Sequence, residues 1–230
     1  MERTPESPDG TAADAPDDSP ESRAEATIAI VVAVGLMAFL PDRVANHPRW
    51  VVDVAAILLA IVLLLATRRQ RQPHRGLRIT ALCLTGLLTL ANLAAGARLV
   101  VDLARGQGLK DPATLLLTGG AVWLTNVIVF ALWYWELDRG GRMQRALRGH
   151  EVGGHSFLFP QWTTPAPFGD PDWQPRFVDY FYLSFTNATA FSPTDVLPLS
   201  RWAKMAMMVQ SGLSIVILVL VVARAVNILD

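Results

Sequence analysis

One cysteine, Cys83, stands in the whole chain, so no internal disulfide can form. Charge is scarce too: 17% of residues are charged against 52% hydrophobic, and the formal net charge is zero. These shortages exclude several classes. A nucleic-acid binder needs a basic stripe interleaved with aromatics; none is present, so no nucleic-acid partner is expected. A secretory leader needs a positively charged start, whereas residues 1–25 carry eight acidic side chains (Glu2, Glu6, Asp9, Asp14, Asp17, Asp18, Glu21, Glu25) against Arg3 and Arg23. Pro, Ser, Ala and Gly fill the rest of that stretch. It cannot bury enough apolar surface to offset chain ordering, and reads as a disordered acidic tail. His, Asp and Glu do not cluster at catalytic or metal spacing within the apolar runs, so no enzyme, metal or cofactor is expected. His150 to His155 resembles a zinc-protease helix motif with one residue too many. On a helix, i and i+5 point about 140° apart, and Gly153-Gly154 argue against a helix at all.

What the chain has is apolar length, which places it in the membrane class. Five runs predict transmembrane helices: 26–40, 51–67, 79–101, 113–137 and 203–227. The first, closed by Pro41-Asp42, is short at roughly 22 Å. Trp50 introduces the second, and Asp53 in its first turn reads as an interfacial carboxylate, the sharper alternative being an ion-relay group. In the third, Arg98 and Asp102 are i and i+4 and can meet, while Ala91, Ala94, Ala95 and Gly96 allow close approach. In the fourth, Gly119-Gly120 would admit a partner helix and Asn126 reads as interhelical glue. Trp133, Tyr134 and Trp135 read as interfacial belt residues. Residues 138–176 form a soluble Gly/Pro-rich connection, with Phe157, Phe159, Trp162 and Trp173 lying at the interface.

The informative stretch is 177–230. Residues 177–190 form an apolar helix of about 21 Å, too short for a hydrocarbon core of about 30 Å. Pro175 precedes it and Ser192-Pro193 stops it. A short helix, a polar turn and then a full span read as a re-entrant hairpin, which is tolerated at membrane depth only inside protein or facing water. The fold class expected is therefore an all-α membrane protein: about five transmembrane helices plus a short re-entrant, pore-helix-like helix before the last span. Candidate lining residues are Thr186, Asn187, Thr189, Ser192, Thr194 and Asp195. Gln210 and Ser214 add a mildly polar stripe with Ser211 on the last helix, on a side that faces either a cavity or another helix. Asn187-Ala188-Thr189 also fits a glycosylation acceptor, discounted inside a hairpin.

From Tyr180 to Lys204 the chain resembles, without gaps, the pore helix, filter and inner-helix start of tetrameric potassium channels. Tyr180-Phe181-Tyr182 supply the aromatics, Thr189 the threonine before the filter, Asp195 the filter's aspartate, Pro198 the later proline, and Trp202 and Lys204 the start of the inner helix. The filter itself becomes Ala190-Phe191-Ser192-Pro193-Thr194, without glycines. A carbonyl-lined filter needs left-handed residues, and Pro193 instead holds φ near −65°. The resemblance thus implies the scaffold, a homo-tetramer and passage of inorganic cations, without potassium selectivity. Leu158-Phe159-Pro160, Asp179-Tyr180, Phe185-Thr186 and Asp195-Val196 also resemble an uncharacterised family of bacterial integral membrane proteins, which implies no activity.

Five spans put the N-terminus, the Arg68–Arg78 loop and the 138–204 connection on one side, with fourteen Lys and Arg against four on the other. The positive-inside rule makes that side cytoplasmic, in a multi-pass plasma-membrane protein. Potassium-channel pore loops enter from outside. Two functions follow: a pore-loop channel that is not potassium-selective, or a non-conducting membrane protein serving as a structural or partner-binding module.

Overall fold

In the computed structural model, residues 20–41, 57, 61, 75–106, 111–140, 154–165, 173–189 and 195–229 are described. Among them are five helices, α1 (Pro20–Ala38), α2 (Arg75–Ala104), α3 (Pro112–Leu137), α4 (Phe177–Thr189) and α5 (Arg201–Leu229). A two-residue antiparallel pair, β1 (Phe157–Leu158) with β2 (Leu197–Pro198), matches Phe157 to Pro198 and Leu158 to Leu197. The described residues are mostly helical, and three stretches among them are long and apolar enough to cross a membrane: Arg78–Ala104, Pro112–Leu137 and Arg201–Asn227. They mark a membrane protein.

Helix starts follow local chemistry. Asp111 caps α3, accepting from the Thr114 backbone N–H at 2.8 Å, with Pro112 in the first turn. The hydrogen bonds from Thr114 hold the Asp111 carboxyl below its ordinary range. Helix α1 begins at Pro20, so residues 20–25 are helical rather than part of the expected disordered tail. Only Glu25–Ala38 of it is apolar, short of the length that spans a bilayer unaided. Of the expected span at 51–67 only Ile57 and Ile61 are described, both helical and exposed; Asp53 and His150 lie outside the described residues.

Helix α3 is central and touches all four other helices. Its neighbours run antiparallel to it. Trp133 Nε1 donates to Thr89 Oγ1 at 2.9 Å near one end, while Gly96 meets Val122 lower down. Two apolar clusters stack along the axis. One gathers Ala26, Ala29, Leu84, Leu88, Phe130, Trp135, Phe157, Tyr180 and Ala203. The other gathers Met37, Leu40, Leu99, Leu103, Leu115, Val122, Ile217 and Val221. The starts of α1, α2 and α5 therefore share one end with the finish of α3, and their finishes share the other.

Two expectations about the connection are corrected. Tyr134 and Trp135 are buried, not belt residues, because the chain after α3 folds back over them. Phe157 and Phe159 are buried too, packed edge-on against Tyr134, Tyr180, Trp202 and Trp162, so this segment is part of the core rather than a soluble linker.

The glycine pair of α3 is used asymmetrically. A Cβ on Gly119 would fall 2.6 Å from Val221 Cγ2, whereas one on Gly120 meets open space. Gly119→Ala is expected to push α3 and α5 apart and cost about 1–3 kcal/mol. Gly120→Ala should be neutral or mildly stabilising, since alanine is the better helix former. Thermal melts of the two variants in detergent check this; equal melting temperatures would remove the close approach from the account.

Candidate functional site

The segment from α4 to α5 starts and ends at the same place. Phe177 stacks edge-on with Trp135 at 5.8 Å, and the Tyr180 hydroxyl donates to Asp138 Oδ2 at 2.7 Å. Further along, the Ser184 hydroxyl donates to the Val127 carbonyl at 2.6 Å and Phe185 meets Trp123 at 5.7 Å. As α4 advances, its partners on α3 move back toward the other end. Ser184 thus lies about 15 Å below the finish of α3. The chain then returns: β2 pairs with β1, the Leu199 N–H donates to the Ser156 carbonyl at 2.8 Å, and Trp202 Nε1 donates to Ser156 Oγ at 3.0 Å. Ser156 in turn donates its N–H to Asp138 Oδ1 at 2.8 Å. Helix α5 restarts at the level of Asp138 and runs beside α4 in the same direction.

Where α4 stops, a polar layer separates the two apolar clusters. Gln210 is its centre and is fully buried. Its Oε1 accepts from the Tyr134 hydroxyl at 2.7 Å and from Asn187 Nδ2 at 2.8 Å. Its Nε2 donates to the Ser184 carbonyl at 2.9 Å and to Ser184 Oγ at 2.7 Å. Both donors and both acceptor sites of the amide are used. Asn187 Nδ2 also reaches the Met207 carbonyl at 3.1 Å, and the Ser211 hydroxyl lies 3.0 Å from both Asn187 oxygens. Asn126 Nδ2 donates to Ser214 Oγ at 3.0 Å. Buried amides and hydroxyls from α3, α4 and α5 thus saturate one another, which is what makes their burial tolerable.

Of the residues singled out from sequence, the structure brings together Asn187, Gln210, Ser214 and Asn126. The stripe on α5 takes the helix-facing alternative. The Thr186 and Thr189 hydroxyls bond carbonyls of their own helix, at 2.9 Å each to Tyr182 and Thr186. Asp195 is exposed. Ser192 and Thr194 lie outside the described residues. The Asn187 amide is committed to Gln210 and Met207, which leaves it no freedom as a glycosylation acceptor. Arg98 and Asp102 do meet on α2, at 4.0 Å. Among the described residues no three His, Cys, Asp or Glu side chains are placed to hold a metal ion.

Sequence reasoning missed Tyr134, Ser184, Asp138 and Ser156. Ser184 and Asn187 share a face of α4 at i and i+3, so that pair was readable. Asp138 carried only a weak signal, a lone carboxylate just past an apolar run. No family model, curated protein or solved structure matches the chain.

Proposed function

We propose that the chain is a five-crossing membrane protein carrying a re-entrant hairpin, and that it is a non-conducting module whose hairpin is locked within each chain. Helix α1 finishes at one end of the bundle and α2 starts at the other. The apolar run 51–67 lies between them in sequence and has the composition for a return crossing, which supports a fifth span. The basic groups Arg78, Arg139, Arg176, Arg201 and Lys204 belong to the hairpin's end of the bundle, which supports placing that end in the cytoplasm.

The observation that carries the non-conducting reading is where the polar groups point. Gln210, Ser214, Asn187 and Ser184 face each other inside one chain. The outward side of α5 is apolar: Met205, Met208, Val209, Ile215, Val216, Val219, Val222 and Val226 are exposed over about 31 Å. That length matches a hydrocarbon core of about 30 Å, and the face suits lipid or another membrane chain rather than a hydrated wall.

A second reading, a pore-loop channel assembled as a homo-tetramer, is favoured by the exposure of Asp195, since a ring of such carboxylates draws cations. Liposomes reconstituted with the purified protein distinguish the two. Potassium and sodium flux no faster than through protein-free vesicles is expected. Cation flux that Asp195→Asn diminishes would overturn the module reading and establish the channel.

A further inference from the structure

At the hairpin's end, the segment 154–162 is held to the finish of α3 by a short set of contacts around one indole. The His155 ring packs edge-on against Trp162 at 4.6 Å between centroids. The Arg139 guanidinium lies 5.0 Å from the centroid of the same ring. Ser156, the next residue, binds Asp138 through its N–H, Trp202 through its hydroxyl, and Leu199 through its carbonyl. One dipeptide, His155-Ser156, therefore joins the end of α3 to the start of α5.

We infer that His155 is a proton-operated catch: neutral, it holds this segment shut on Trp162, and protonated, it releases the segment and the hairpin mouth with it. An imidazolium carries an N–H on both nitrogens and needs two acceptors. His155 Nδ1 is buried and meets no hydrogen-bond partner among the described residues, so protonation strands a donor there. It also places a second cation beside Arg139 on one half-buried ring. The charges that act on His155 are those of Arg139 and Asp138. The attraction of Asp138 is the weakest influence, its carboxylate being engaged by Tyr180 and Ser156. Burial, and then Arg139, push the His155 pKa below its ordinary value. Arg139, at the finish of α3, and Gly154, at the start of the segment, both hold positive φ, at 50° and 79°.

The sign follows from linkage. The open form has the ordinary histidine pKa near 6.5 and the closed form a lower one, so the closed form is favoured fully above about pH 6.5. It loses its advantage as pH falls from there through the lowered value. Hydrogen exchange of the full chain in nanodiscs, corrected for intrinsic rates, tests this at pH 7.5 and 5.5. Protection of the Ser156 and Leu199 amides is expected to fall severalfold on acidification, with a ceiling of about tenfold because pH 5.5 lies only about one unit below the open form's pKa. His155→Phe, which keeps an aromatic edge on Trp162 without the proton, and His155→Gln should each be independent of pH over that range. Arg139→Gln should show a shallower fall than the wild type. Unchanged wild-type protection at pH 5.5, or the same fall in both His155 variants, overturns the inference. Ion flux plays no part in the readout, so the outcome is independent of the module reading.

Discussion

Gln210→Ala is expected to lower the stability of the bundle by about 2–4 kcal/mol, among the largest effects of any single change in the described helices. Interhelical hydrogen bonds in membrane proteins average only about 0.6 kcal/mol each, because the alternative states find partners too. Gln210 makes four, to three residues on two helices. Its removal also leaves the Tyr134 hydroxyl buried with its acceptor gone, and opens a cavity at a fully buried position. Gln210→Leu restores volume without hydrogen bonds and should recover part of the loss. Pairing it with Tyr134→Phe, which removes the stranded hydroxyl, should cost less than the two changes summed. Thermal melts in detergent would show this. A melting temperature within a degree of wild type for Gln210→Ala would mean that the polar layer does not hold α4 in place.

Asp138→Asn is the second large change, at about 2–4 kcal/mol, although it alters one atom. The carboxylate accepts from the Tyr180 hydroxyl on one oxygen and from the Ser156 N–H on the other. An asparagine can keep its oxygen on the Ser156 N–H and turn its NH₂ toward the Tyr180 oxygen, but the Tyr180 hydroxyl proton then loses its carboxylate acceptor, and both charge-assisted bonds are lost in a fully buried position. Because Ser156 also carries Trp202 and Leu199, the loss should spread to the start of α5. Two readouts are expected together: a lower melting temperature and faster proteolysis within 154–165. In a Tyr180→Phe background the same substitution should cost less, since the hydroxyl proton that loses its acceptor is then gone. Wild-type stability for Asp138→Asn would show that this carboxylate is not the anchor.

Much of the architecture was legible because apolar run length is a local property. The helices over 75–104, 112–137 and 201–229 announce themselves by composition; the first and last run two to four residues beyond 79–101 and 203–227, while the middle one matches 113–137 to within a residue. The short helix was bounded by Pro175 and the Ser192-Pro193 stop, and the structure ends it at Thr189. The start of α1 was missed because acidic residues 21 and 25 made the first turns look like tail, although glutamate suits a helix N-terminus. The core role of the connection was missed for another reason. Phe157, Phe159 and Trp162 look like interfacial aromatics by type, and only the β1–β2 pairing and the Asp138–Ser156 bond, between residues far apart in sequence, turn them inward. The polar stripe on α5 was visible; the direction it faces was not, because that depends on Ser184 and Tyr134 from two other helices.

The shared direction of α4 and α5 has an electrical consequence. Peptide dipoles in a helix leave about half a negative charge at its C-terminal end. Of the helices described, α4 alone finishes part-way along the bundle, beside Gln210. Among the described residues, side-chain hydroxyls meet two of its last carbonyls, Thr186 by Thr189 and Asn187 by Ser211. Its N-terminal end lies with the basic residues at the bundle's end. On the proposed placement about half a charge is thereby held near mid-depth, where its described neighbours Gln210 and Ser211 are neutral. A potential of 100 mV acts on it with about 0.6 kcal/mol, taking half the charge across half the field. On the proposed re-entrant placement, the membrane voltage therefore pulls on α4 along its axis, and the hydrogen bonds of the polar layer resist it.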